Sequence, residues 1–214
     1  MFNSEVISKK ISSKIANELE LDKDNEEVIA YGLFSAIQIL YNIIAIILIG
    51  AIFNVVIEAL IVSFVIAILR KSSGGVHASS PIRCLIIGCI VCILIALISK
   101  IYVPVNMVVI IGIIVFSWSY YIIWRFAPVD SLSKPIKSEK KRKRLMRSSI
   151  RNLTVYIIII IIGLITYRLI NMDRILNYIM CIYGGIIWQV LTLTNIGYII
   201  VKLIDDSLNK LTIR

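Results

Sequence analysis

The chain has 214 residues, 59% of them hydrophobic, and a formal net charge of +10. Soluble domains average about 45–50% apolar residues, so the long uncharged runs here place the chain among integral membrane proteins. They also turn the basic excess into a question of sidedness, not of nucleic acid. Four cysteines, three of them inside apolar runs, and a single histidine give no basis for a disulfide framework, a zinc site or any other metal or cofactor.

Residues 1–27 lack the apolar core of a cleavable signal. Phe2, Val6, Ile7, Ile11, Ile15 and Leu19 recur at near-helical spacing, with Lys9, Lys10 and Lys14 between them. This predicts an amphipathic helix, lying either in the membrane interface or on the protein's own cytosolic face. Six spans near the ~20 residues a bilayer requires follow within 28–201. They are expected at about Val28–Gly50, Ala51–Leu69, Pro81–Ser99, Ile101–Trp124, Asn152–Arg168 and Ile175–Val201. Residues 202–214 read as a tail. The expected fold is an all-α polytopic membrane protein.

Lys and Arg set the orientation. With the N-terminus inside, segments 1–27, 70–83, 125–151 and 202–214 hold 20 of the 23 basic residues, and only Lys100, Arg168 and Arg174 fall outside. Both termini and the 70–84 loop are therefore expected in the cytosol. The basic run up to Arg151 suits plain topology and anionic lipid first; a docking surface for an acidic peptide partner is the sharper reading, and the two can coexist.

The polar stretch KSSGGVHASSPIRC, residues 71–84, holds the only histidine, His77, and the first cysteine, Cys84. Ser80-Pro81 reads as a helix start, Ser at the N-cap and Pro at the first position. Cys84 then lies at the first turn, where the helix N-terminus and the nearby Arg83 and Arg70 favour thiolate and free N–H groups could hold an oxyanion. Gly74-Gly75 permits a tight loop that brings His77 toward the thiol as a general base. The plainer reading is a solvated histidine and an inert cysteine. Glu58, an intramembrane acid about 12 residues before Arg70 and hence ~18 Å away along a helix, reads as a helix–helix contact or a functional group. Asp130 could orient His77 or serve a turn. Gln189 and Asn195 read as interhelical hydrogen-bonders, and Cys89, Cys92 and Cys181 as small apolar fillers.

Arg70, Gly74-Gly75, His77-Ala78 and Cys84, together with Tyr31-Gly32, Ala127-Pro128-Val129-Asp130 and Lys134-Pro135-Ile136, resemble the signature of the accessory gene regulator B (AgrB) family. The resemblance runs over about residues 1–200. It implies a membrane-embedded cysteine endopeptidase of bacterial quorum sensing, in the cytoplasmic membrane. The implied substrate is an AgrD-type propeptide with an amphipathic leader and an acidic tail. Cys84 matches the nucleophile and His77 the base; Arg70 and Gly75 match motif positions of unspecified role. The family also favours a homodimer. A peptide transporter without covalent chemistry, or a membrane scaffold using its basic loop, are the competing classes.

Overall fold

The computed structural model describes residues 4–129 and 138–212. Eight α-helices account for nearly all of them: α1 Ser4–Glu18, α2 Lys23–Ile52, α3 Val56–Ser73, α4 Pro81–Ile98, α5 Val105–Phe126, α6 Glu139–Ile170, α7 Arg174–Leu191 and α8 Asn195–Thr212. The expected all-α polytopic membrane fold is the observed one. Five helices, α2, α4, α5, α6 and α7, are long and apolar enough to cross a membrane. The sixth expected span, α3, carries Glu58, Arg70 and Lys71 at its two ends.

The helices divide into two compact units that meet within α2, at Ala45 and Ile46. In the first unit, the side of α1 that packs is its small, serine-rich side, and its apolar side stays exposed. Ser4, Ser8, Ser12 and Ala16 are buried, while Val6, Ile11 and Leu19 are exposed. Two of these serines, Ser8 and Ser12, return their hydroxyls to carbonyls three residues back, and Gln38 on α2 donates to Ser4 Oγ at 2.9 Å. Small self-satisfied side chains permit close backbone approach, which leaves the larger aliphatic groups facing out.

In the second unit α3 is the central rod. Its buried residues Ala59, Val62, Val65 and Leu69 recur every three or four positions, as one helical stripe should, and it packs against α4, α6 and α7. Val65 and Leu69 join Ile123 of α5, Leu153 and Ile160 of α6 and Ile179 and Ile186 of α7 in one core. Gly184 and Gly185 allow α7 to approach closely: a Cβ there would lie 2.3 Å from Ile95 and 2.9 Å from Val65.

Two expected boundaries change. The predicted span 175–201 is two helices, because α7 stops at Leu191. The Thr194 hydroxyl then accepts from Gly197 N at 3.2 Å, an N-cap for α8. The predicted basic loop 125–151 is helical from Glu139, so its cations Lys140 to Arg151 lie on the first turns of a 32-residue helix.

Candidate active site

Arg70 lies in the last turn of α3, and the chain leaves that helix through Gly74 and Gly75. Gly74 N–H closes the helix on the Arg70 carbonyl at 3.0 Å, with φ of 70°. Gly75 has φ of 134°. L side chains avoid both conformations. Close neighbours demand glycine as well: a Cβ on Gly74 would sit 2.1 Å from the Val129 carbonyl oxygen, and one on Gly75 2.6 Å from Thr192 Oγ1.

Main-chain bonds then pin the loop at successive residues. Val129 N donates to Ser73 O at 2.9 Å and Val76 N to Thr192 O at 3.2 Å. Gln189 Nε2 donates to Gly74 O at 2.7 Å and to Ser73 Oγ at 3.0 Å. The Arg70 guanidinium donates to the Val76 carbonyl. Gln189, expected only as an interhelical bonder, is thus a tether of this loop. Gln189→Leu removes two donors but also relieves its buried, unpartnered Oε1. Stranding the Gly74 carbonyl costs about 1–3 kcal/mol and the relief offsets part of it, so a net loss of about 1 kcal/mol is expected in thermal unfolding in detergent.

From Val76 to Ser80 the chain has no regular secondary structure. Val76 and Ala78 pack into an apolar cluster with Ile87, Val91 and Val201, and the alternate residue, His77, is exposed. Ser80 has extended angles, and its hydroxyl accepts from Arg83 N at 3.3 Å, with Pro81 at the first helical position. Cys84 N is bonded to the Ser80 carbonyl at 2.9 Å. Two first-turn amides expected to be free for an oxyanion are therefore already committed. Cys84 is a free, half-buried thiol.

The cations play different parts. Arg70 is the positive charge that bears electrostatically on both His77 and Cys84. Arg83, expected to serve the thiol, is instead turned to α8, where its Nε lies 2.9 Å from Asp205 Oδ1. For His77, partial desolvation of the ring comes first and the Arg70 charge second in pushing the pKa down to about 4. The residue as a whole is exposed, which moderates the desolvation; the direction, a ring kept neutral, is what the chemistry uses. Between pH 6.5 and about 4 the unfolded chain binds a proton that the folded loop refuses, so stability falls as pH drops through that window.

Asp130 and Lys134 lie outside the described residues. Glu58 sits at the far end of α3, lining a cavity of about 530 Å³ with Lys100 and Arg174, and is no partner for His77. Cys89, Cys92 and Cys181 are buried. Among the described residues no group of three His, Cys, Asp or Glu converges as a metal site. Asp205 was not anticipated, because 202–214 reads as a tail.

The model of the family described as accessory gene regulator B matches residues 8–193, which include every element of this loop and its tethers on α7. The chain belongs to the accessory gene regulator B family. Two AgrB-like proteins of Clostridium perfringens align nearly end to end. The one from strain SM101 (type A) is 42% identical over 211 residues, 97% of this chain and 99% of that protein. AgrB-like protein 2 of strain 13 (type A) is 41% identical over 211 residues with the same coverage. No solved structure matches. The matched residues span the Gly74–Ala78 loop, the helix that starts at Pro81 and Val129.

Proposed function

We propose that this protein is a membrane-embedded cysteine endopeptidase that processes a quorum-sensing propeptide of the AgrD type. The reading is supported by membership of this family together with the tethered loop, which carries both His77 and Cys84 on the short stretch between α3 and α4. The Cys84 sulfur attacks a backbone carbonyl of the propeptide, and neutral His77 takes the thiol proton. The C–N bond then breaks, His77 returns the proton to the departing amine, and the acidic tail leaves. The peptide stays as a thioester on Cys84. A cysteine or serine of the peptide attacks that thioester and closes a thiolactone or lactone, restoring the thiol. Thioester-to-thioester exchange conserves the bond type, so closure needs no ATP. Water must be kept out, because hydrolysis would give a linear product. The basic distribution favours a cytosolic loop, within reach of a peptide lying on the membrane. The cations of α6, which line a groove of about 950 Å³, suit an acidic tail.

The test is intact mass spectrometry of the protein in lipid with the propeptide. Tail loss plus a peptide-sized, hydroxylamine-labile adduct is expected. Peptide that binds and crosses the membrane uncleaved would instead support a transporter. The pH profile checks the role of His77. The acid limb of kcat/KM is expected well below the ordinary histidine value near ~6.5, and Arg70→Gln should raise it, since the charge that opposes protonation is gone.

A further inference from the structure

Helix α8 lies beyond the residues that the family model matches, yet it closes the second side of the loop. Val201, Ile204 and Leu208 pack with Val76, Ala78 and Ile87. From the same helix Asp205, only 8% exposed, accepts from Ser79 N at 3.0 Å and from Ser79 Oγ at 2.5 Å through Oδ2. Its Oδ1 lies 2.9 Å from Arg83 Nε. The same guanidinium also reaches Ser79 Oγ and Asn209 Oδ1. The other ion pair among the described residues, Lys9–Glu5, is an exposed pair one turn apart, whereas Arg83 and Asp205 are both largely buried. Removing one member of a buried pair strands the other's charge.

The placement of these contacts is specific. Ser79 lies two residues after His77, and Arg83 immediately precedes Cys84. Gly74 to Val76 is already held by Val129, Gln189 and Thr192, so His77 sits in the short stretch between two anchorages. Without the α8 anchorage the chain from Val76 to the first turn of α4 could drift. Misplacement by about 1 Å costs on the order of 10²-fold in rate.

We propose that Asp205 is a positioning residue for the catalytic loop, an inference that rests on the peptidase reading: it holds His77 and Cys84 in register through Ser79 and Arg83. The test combines turnover with amide hydrogen exchange, both on the full chain in lipid vesicles. Asp205→Ala is expected to lower kcat about 30–100-fold with KM within threefold. Asp205→Asn keeps an acceptor for Ser79 N and should recover part of that loss. Arg83→Gln should cost as much as Asp205→Ala, and the double variant no more than the worse single one. Exchange, measured without peptide, should rise at 77–80 and not across α3 or α7. Unchanged kcat in Asp205→Ala would overturn the proposal. So would a loss confined to KM, or exchange raised throughout the helices together with a lowered Tm. If the wild type cleaves no propeptide, the peptidase reading fails by itself. The exchange at Ser79 then still upholds or removes the tether.

Discussion

Cys84→Ala, purified in lipid and mixed with its propeptide, leaves the peptide full length and takes up no adduct, while its helical content and Tm match the wild type. On the proposed peptidase mechanism the expected loss of cleavage is about 10⁴-fold or more, because the sulfur would be the atom that takes the acyl group. The fold should be indifferent: Cys84 is half-buried, and its backbone bond to Ser80 needs no side chain. Cys84→Ser separates nucleophile strength from shape. It preserves the size of the side chain, yet a hydroxyl is far less acidic than a thiol and His77, with its lowered pKa, is a weak base for it, so this variant too should leave the peptide uncut. An intact rate in Cys84→Ala would remove covalent catalysis altogether and leave transport or scaffolding as the function.

The second large effect is expected at Gly74, which touches no substrate. Gly74→Ala puts a Cβ 2.1 Å from a main-chain carbonyl, that of Val129, at φ of 70° and ψ of −150°. A backbone atom cannot rotate away, and the conformation itself costs about 1–3 kcal/mol for a residue with a side chain. The relief available is to break the Val129–Ser73 bond and release the loop, so a rate loss of about 100-fold or more is expected. Gly75→Ala should be milder. Its Cβ meets Thr192 Oγ1 at 2.6 Å, the end of a side chain that can turn. The ranking Gly74 worse than Gly75, read from single-turnover cleavage beside thermal unfolding, distinguishes backbone registration from mere loop flexibility. Equal effects would count against it.

What was legible in the sequence was local or periodic. Ser80-Pro81 announces its helix because the N-cap and the proline act within one turn, and the Gly-Gly pair announces a strained exit from α3. Apolar runs located every span-length helix. Three features escaped for physical reasons. Hydropathy continues across Thr192–Thr194, so the break between α7 and α8 shows only as the Thr194 cap, a single residue. Which side of α1 packs was also not legible, because the pattern left open what its apolar side faces; the packed side is the serine side, where small groups allow close approach. Arg83 reads beside its sequence neighbour Cys84, whereas its partner Asp205 stands 122 positions further along, and ion pairs at such separation leave no local pattern.

The uninterrupted helix α6 has a consequence for depth. Its 32 residues extend about 48 Å at ~1.5 Å per residue, against a hydrocarbon layer of ~30 Å. Seven cations, Lys140 to Arg151, occupy the excess and are spread around the axis, so no rotation hides them all and the helix cannot slide inward. At the height where the charge ends, Ser149 Oγ donates to Ser72 Oγ at 2.9 Å, and Asn152 reaches the same hydroxyl at 3.3 Å. Ser72 is two residues past Arg70. A helix so charged at one end would act as a depth stop, and its fastening to the end of α3 ties the loop that carries Cys84 to the point where the cations give way to the apolar run.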